Sequence, residues 1–501
     1  MKLEKLVNQY AVSGVMILII IIIIFGYLGY HPIKLWDESR LVANAVEMLH
    51  DGDLVVTHYE GEPDMWNTKP PLMIWLQVFF MKLFGVNEWS ARLPSALAAF
   101  FTMCLLLMFT IRYMKSYWLG LIASLILATT GGYICMHVSQ TGDYDALLIL
   151  FTTLYCLSFY LFCETNKNKY LLLFFLGLTL AVLTKSVAGL LFLPALLIYV
   201  LWQKKLLMFL KNKYTYLGIL GFLALVLGYY LLRESQNPGY IAAVIQNEWG
   251  GRYLEVDETN SGSIFFYVKK LSSWIAVFPI SLFVVFLNKN RKEQKLSVFL
   301  LLLFVVYFLV ISLSKTKLDW YVAPTFPFIA LISAILIVHI FNILQNYDYG
   351  NGKALKISVP YIFLFLVFFT PVQKRVHQNF INHQHWYGEV EWYRVSYFLQ
   401  DALRNDRDLN GFKVVYSRFL GHYDGQTPHI QFYIDLLSEK GMDISYENWQ
   451  KLKSGDKIIC TLTDYNTIIK DHYNCEILSQ NKKNNIGTFI ILKAKTAEIE
   501  N

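Results

Sequence analysis

The stretch "ILIIIIIIFGYLGY" (17–30), followed at once by "HPIKLWDESR" (31–40), decides the fold. Counted from residue 13, the apolar run approaches the roughly 20 residues that carry a helix across a bilayer. No small-residue cleavage pattern follows, so the run reads as an uncleaved first membrane helix rather than a signal peptide. Two acids, Asp37 and Glu38, stand just past its end. Charge beside hydrocarbon is costly, so acids placed there must cap a helix, pair with a cation or do chemistry.

Working outward, the 501 residues are 55% hydrophobic and only 16% charged, where a soluble domain carries about 25% charge. Further apolar runs lie near 93–111, 118–136, 146–163, 170–184, 187–202, 214–232, 271–287, 296–313, 322–343 and 355–371, which predicts eleven spans with the first. If every run crosses, Lys2, Lys5, Arg112, Lys115, Lys167, Lys169, Lys204, Lys205, Lys211, Lys213 and the cluster from Lys289 to Lys295 share one side. Cytoplasmic loops carry the excess of Lys and Arg, so the N-terminus is expected in the cytoplasm and the C-terminus outside. The net charge of +7 therefore reports topology and gives no reason to expect nucleic acid.

These features predict an α-helical polytopic membrane protein. Residues 1–371 form its transmembrane domain, with a long first outer loop at 31–92, and 372–501 form a small extracytoplasmic α/β domain. In the last region "GFKVVYS", "DKIICTL" and "TFIILKAK" predict strands, and "HIQFYIDLLSEKG" and "EWYRVSYFLQDALR" predict helices. Cys460 and Cys475 fall there, where an oxidising compartment would permit a disulfide. The other four cysteines sit in apolar runs and read as packing residues. In "DESRLVANAVEMLH", Leu41, Val42, Ala45, Met48 and Leu49 recur at helical spacing opposite Arg40, Asn44 and Glu47, the pattern of a helix lying along the interface. Trp36, Trp66, Trp75 and Trp89 are placed as interfacial anchors would be.

Charged residues then gather at outer helix ends. Asp37 fits an N-cap, with Arg40 as the amide it would satisfy, and a helix N-terminus also keeps a carboxylate ionised, ready to accept a proton. "DMWNTKPPLMIWL" sets Lys69 before a Pro-Pro pair that can open a helix, and "SQTGDYDALLILF" heads the fourth span with Asp143 and Asp145. Lys185 in "LTKSVAG" fits the outer tip of a helical hairpin better than the middle of one long helix, since a mid-membrane lysine is costly. Lys315 and Lys317 in "SLSKTKLDWY", and Glu248 and Arg252 in "QNEWGGRYLEVDE", complete the set. Each alone fits a cap, a snorkelling side chain or a solvated loop. Together, carboxylates and cations at outer helix ends suit a phosphorylated lipid at the bilayer edge. His377, His383 and His385 match no metal spacing and read as solvated.

The ordered motifs "DESR", "TKPPL", "LFGVNEWSARLPSA", "GDYDALL", "LTKS" and "SKTKLDWY" resemble the polyprenyl-phosphate-sugar-dependent glycosyltransferases of the C-type membrane fold, over roughly residues 13 to 343. The bacterial aminoarabinose transferases are similar in pattern, and the protein O-mannosyltransferases more distantly so. The resemblance implies catalytic roles for Asp37, Glu38 and Asp145. It implies substrate-binding roles for Lys69, Lys185, Glu248, Lys317 and Tyr321, and the pattern of outer cations adds Arg252 and Lys315 as further substrate-binding candidates. It also implies a polyprenyl-phosphate-linked sugar donor, a membrane-associated or periplasmic acceptor, and a place in the bacterial inner membrane. Thr68 and Trp249 stand where aminoarabinose transferases have Glu and His, so no metal is expected through that pair, although a divalent cation elsewhere stays open as a cofactor. The competing expectation is a polyprenyl-linked sugar transporter or flippase, which should set its ionisable groups near mid-membrane on broken helices.

Overall fold

The structure, a computed structural model, describes residues 2–251, 262–271, 273–287, 290–350, 352–381, 393–416 and 427–495. It divides into two compact units. The first comprises Met1–Leu28, Asn44–Gly85 and Trp89–Asn382, and the second Gly29–Ala43, Val86–Glu88 and His383–Asn501.

The first unit is mostly helical. Among the described residues, 7 helices are long and apolar enough to cross a membrane, and five more are apolar but shorter, one of which, Leu72–Phe84, lies in the stretch expected as an outer loop. Lys2–Phe25 covers the opening run and Glu88–Phe109 the second, despite an internal Pro94. Asp145–Thr165 is 78% buried over its apolar window, whereas Lys213–Gln236 is 22% buried and turns Leu217, Leu220, Leu225 and Leu231 outward. The first is thus a central helix of the bundle and the second a lipid-facing one, as expected where lipid is as apolar as leucine.

One helical hairpin positions the site. Asp145–Thr165 ends at Asn166, whose left-handed backbone (φ 52) lets its amide close on the Phe162 carbonyl, and Asn168–Lys185 returns. The start of one helix and the end of the other therefore share one end of the pair. The chain breaks again after Lys185. Ser186 takes φ 46 and the short turn Ser186–Leu190 folds back so tightly that a Cβ on Gly189 would lie 2.7 Å from the Ala181 carbonyl carbon. Lys185 thus sits at a turn, as the cost of a mid-membrane cation predicts.

In the helix Asp37–Asp51 the expected inner face is buried, with Leu41, Val42, Ala45 and Met48 at 1% exposure or less. The expected polar face is not solvated, however, because Arg40 and Asn44 are buried as well. Asn44 is satisfied internally: its amide donates to the His58 carbonyl at 2.7 Å and to Asp64 Oδ2 at 2.9 Å. It anchors a loop instead of resting on an interface.

The second unit carries a five-stranded sheet in the order β4-β3-β5-β7-β6, numbered after a two-residue hairpin, β1 (His58–Tyr59) and β2 (Glu62–Pro63), in the first unit. Here β3 is Phe412–Val414, β4 Ile444–Tyr446, β5 Lys457–Thr461, β6 Tyr473–Asn481 and β7 Ile486–Ala494. β3 runs parallel to β4 and β5, with the helix Pro428–Glu439 connecting β3 to β4, and β7 runs antiparallel to β5 and β6. Its core gathers Val415, Ile458, Cys460, Tyr473, Phe489 and Ile491. The disulfide that the sequence left open is not formed. Cys460 lies on β5 and Cys475 on β6 with β7 between them, opposite Gly487 and Ile491 respectively, so two strand spacings, about 10 Å, is the least their separation can be, beyond the roughly 7 Å limit for bridging. Both are free thiols, and burial pushes the Cys460 thiol well above its ordinary range.

Candidate functional site

In the first unit the hairpin sets Asp145 and Lys185 in contact, with the Lys185 ammonium 2.6 Å from Asp145 Oδ2 and both side chains under a tenth exposed. Such a pair survives burial only because each charge answers the other. The ammonium has three N–H donors, of which Asp145 takes one. It also faces the ring of Tyr321 at 5.9 Å, near the end of the segment that carries Lys317.

Next to Asp145, Tyr144 links the pair to a second one. The Lys69 ammonium lies 5.4 Å from the Tyr144 ring centroid and 3.5 Å from Glu248 Oε1, again with both side chains buried or nearly so. The loop bearing Lys69 is fastened from several sides. The Tyr144 hydroxyl donates to Asn67 Oδ1 (2.8 Å), and Asn67 Nδ2 donates to Asn44 Oδ1 (2.9 Å). Asp64 Oδ1 takes the amides of Trp66 and Asn67. The fully buried Arg233 guanidinium donates to Thr57 Oγ1 and the Asp64 carbonyl and stacks 4.2 Å over Tyr240, whose hydroxyl donates to the Thr68 carbonyl. The loop that bears Lys69 is thus held by hydrogen bonds from several elements.

Lys317 differs from the other two cations. It is 5% exposed, and its ammonium donates to the carbonyls of Ser312 (2.8 Å) and Ser314 (2.6 Å), 5.8 Å from the Tyr267 ring. Carbonyls satisfy donors without cancelling charge, and among the described residues no carboxylate pairs with it. Burial accordingly pulls its pKa below the usual lysine range. Lys315, two residues away, is exposed and apart from these contacts, and Arg252 lies outside the described residues.

Two aromatic groups escaped the sequence reading. The His137 ring stacks on Trp320 at 3.7 Å and 15°, while His137 Nδ1 lies 3.7 Å from Asp143 Oδ2. The Thr141 hydroxyl accepts the His137 amide and donates to Asp143 Oδ2 at 2.5 Å, in a stretch where His137 takes φ 65. Strained backbone of this kind persists only where its surroundings hold it. Nothing in "MHVSQTGD" separates this histidine from a solvated one; only the contact with Trp320 does.

Asp37 and Glu38 open the helix Asp37–Asp51 in the second unit's Gly29–Ala43 segment. Glu38 is fully buried and its Oε2 accepts the Lys34 amide at 2.7 Å, while the Arg40 amide closes on the Trp36 carbonyl. Asp37 is half-buried.

Residues 68–230, which include Lys69, Asp145 and Lys185, match the dolichyl-phosphate-mannose-protein mannosyltransferase family. The chain is 30% identical to an uncharacterized protein of Aquifex aeolicus over 68% of its own length and 64% of that protein. It is 24% identical to the undecaprenyl phosphate-alpha-4-amino-4-deoxy-L-arabinose arabinosyl transferase of Pseudomonas savastanoi over 70% of its own length and 66% of that enzyme. The chain thus spans slightly under two thirds of each of these relatives. Its fold is similar to that of ArnT from Cupriavidus metallidurans, crystallised with undecaprenyl phosphate, with a TM-score of 0.66 and 15% identity over 98% of this chain and 99% of that one. The archaeal oligosaccharyltransferase AglB of Archaeoglobus fulgidus, in complex with an inhibitory peptide and a dolichol-phosphate, is a more distant fold match, with a TM-score of 0.53 and 10% identity over 96% of this chain and 74% of that one.

Proposed function

We propose that the chain is a C-type membrane glycosyltransferase, moving a sugar from a polyprenyl-phosphate carrier to an acceptor hydroxyl or phosphate at the outer face of the inner membrane, a reading supported by the family match over residues 68–230 and by the similarity to the aminoarabinose transferases. The observation that carries this reading is the buried Asp145–Lys185 pair beside Tyr321, with Lys69 and Glu248 joined to it through Tyr144.

The reaction is a displacement with inversion. An acceptor oxygen attacks the anomeric carbon, its proton passes to the Asp37 carboxylate, and the bond from that carbon to the carrier phosphate breaks. The phosphate leaves with the electron pair and one more negative charge than it had in the glycosyl ester. A phosphate is already a weak base, so the leaving group needs cations more than it needs an acid. Lys185 and Lys69 supply them, in surroundings dry enough that fixed charge counts for far more than in water. Lys317, which no carboxylate pairs with among the described residues, adds a third, and the proposal extends to Lys315 and to Arg252, which lies outside the described residues. Asp145 and Glu248 hold the cations in place, Glu38 ties down the turn before Asp37, and the Tyr321 ring faces the Lys185 ammonium.

The test uses the purified protein in liposomes supplied with polyprenyl-phosphate-sugar lipids and an envelope extract. Release of free polyprenyl phosphate is expected from the wild type and should fall at least about a hundredfold in Asp37→Asn, with carrier binding retained. Turnover by Asp37→Asn at the wild-type rate would remove Asp37 from the reaction. Movement of intact donor across the bilayer without release of free carrier would favour a flippase instead.

A further inference from the structure

The second unit holds a cleft of about 1170 Å³ that takes no part in the chemistry above. One wall is the helix Arg394–Arg404, which turns Arg394, Tyr397, Phe398, Asp401 and Arg404 to the cleft at helical spacing while Val395, Leu399 and Ala402 pack inward. The other is the β6–β7 hairpin, whose turn brings Lys482 and Lys483. Arg407 completes the rim.

Among the described residues, five cations therefore face one gap with a single carboxylate, Asp401, already 3.2 Å from Arg407. Arg404 donates to the Gly29 carbonyl, a neutral acceptor that orients its charge without cancelling it, and Arg394 donates to the Lys483 carbonyl. Soluble surfaces ordinarily mix the two signs, and like charges drawn together across a concavity repel unless an anion enters. The walls also suit a sugar. Tyr397 is fixed by its hydroxyl's hydrogen bond with His31 Nδ1 at 2.8 Å, and the amides of Gln480 and Asn484 line the hairpin side. A cleft of this size exceeds the roughly 300–1,000 Å³ of sites for single small ligands, which points to several linked rings rather than one. A flat anionic membrane would be met by a convex or planar basic face, and this one is concave.

We propose that this cleft binds a phosphate-bearing oligosaccharide, the phosphates on the Arg and Lys side chains and the sugar rings against Tyr397 and Phe398. The proposal rests on the transferase reading in one respect: the ligand is the acceptor side of that reaction, held by the second unit.

Binding is measured on the full-length protein in nanodiscs with a synthetic pyranose tetrasaccharide carrying two phosphates, its dephosphorylated twin, inorganic phosphate, and vesicles rich in anionic lipid. The phosphorylated tetrasaccharide should bind at least about tenfold more tightly than its twin or inorganic phosphate, and Lys482→Gln/Lys483→Gln should lose about tenfold, each charge-assisted contact being a strong one. Arg404→Gln, on an exposed position, is a second variant that should weaken binding without loss of fold. Equal binding of the twin, full competition by inorganic phosphate, unchanged affinity in both variants, or binding to anionic vesicles alone would each overturn the proposal. Carrier release with a generic alcohol acceptor is followed in parallel. Cleft binding that persists without any release would sink the transferase reading alone, and release without cleft binding would sink this inference alone.

Discussion

Two ion pairs of nearly equal length show how differently the two units use charge. In the first unit Lys185 meets Asp145 at 2.6 Å with side chains 9% and 5% exposed, and in the second Lys440 meets Asp406 at 2.8 Å with side chains 45% and 81% exposed. Distance does not distinguish them, and burial does. Water already solvates the exposed pair, so closing it gains little. The buried pair has given up that solvation, and each member depends on the other, so either one left alone is a strongly uncompensated charge. On the proposed function, such a pair at the end of two apolar helices is kept for the carrier phosphate rather than for stability.

The largest expected effect follows from breaking the buried pair. Lys185→Met should lower unfolding stability by about 3–5 kcal/mol, because Asp145 stays buried without its cation, and a thermal or detergent-denaturation series on purified protein would show it. If stability is unchanged, Asp145 has another strong partner and the contrast with the surface pair weakens. A double replacement, Asp145→Leu with Lys185→Met, should recover most of that loss, since apolar side chains of similar size often match a buried ion pair in stability. Continued instability of the double variant would mean that the pair is needed for folding itself.

Smaller effects sharpen the other side. Lys440→Ala should leave the denaturation midpoint within experimental error at neutral pH. Lys440 holds the Asp406 carboxyl below its usual range, so any contribution would exist above the ordinary carboxylate pKa and fade as pH falls through the lowered one; the acid-unfolding midpoint should barely move, given full exposure. Smallest of all, unreduced protein unfolded in denaturant should alkylate at Cys460 and Cys475 as fully as at the other four cysteines by intact mass. A mass short by two adducts would reveal a disulfide and contradict the strand order β5-β7-β6.

Much of the helical frame was legible because a bilayer imposes length and apolarity on each span, signals that a linear sequence carries whole. The break at Lys185 was legible for the same reason, as a cation in a run that could not hold it. The pairings were not. Lys185 and Asp145 lie on two helices whose meeting depends on the turn at Asn166, and His137 meets Trp320 only after the chain has crossed the bundle. The buried role of Asn44 was hidden because a polar residue opposite an apolar stripe looks solvated until a loop is laid over it. In the second unit, three strands announced themselves by apolar runs. β4 is three residues long, and β6, almost wholly exposed, shows none of the alternation that marks a half-buried strand.

The central claim is that Lys185 serves a lipid phosphate rather than the fold. It is tested most directly by the affinity of undecaprenyl phosphate for the folded Asp145→Leu/Lys185→Met protein in nanodiscs, beside the wild type. At least about a tenfold loss with stability preserved is the predicted result. Wild-type affinity in that variant would contradict it and return the pair to a purely structural role.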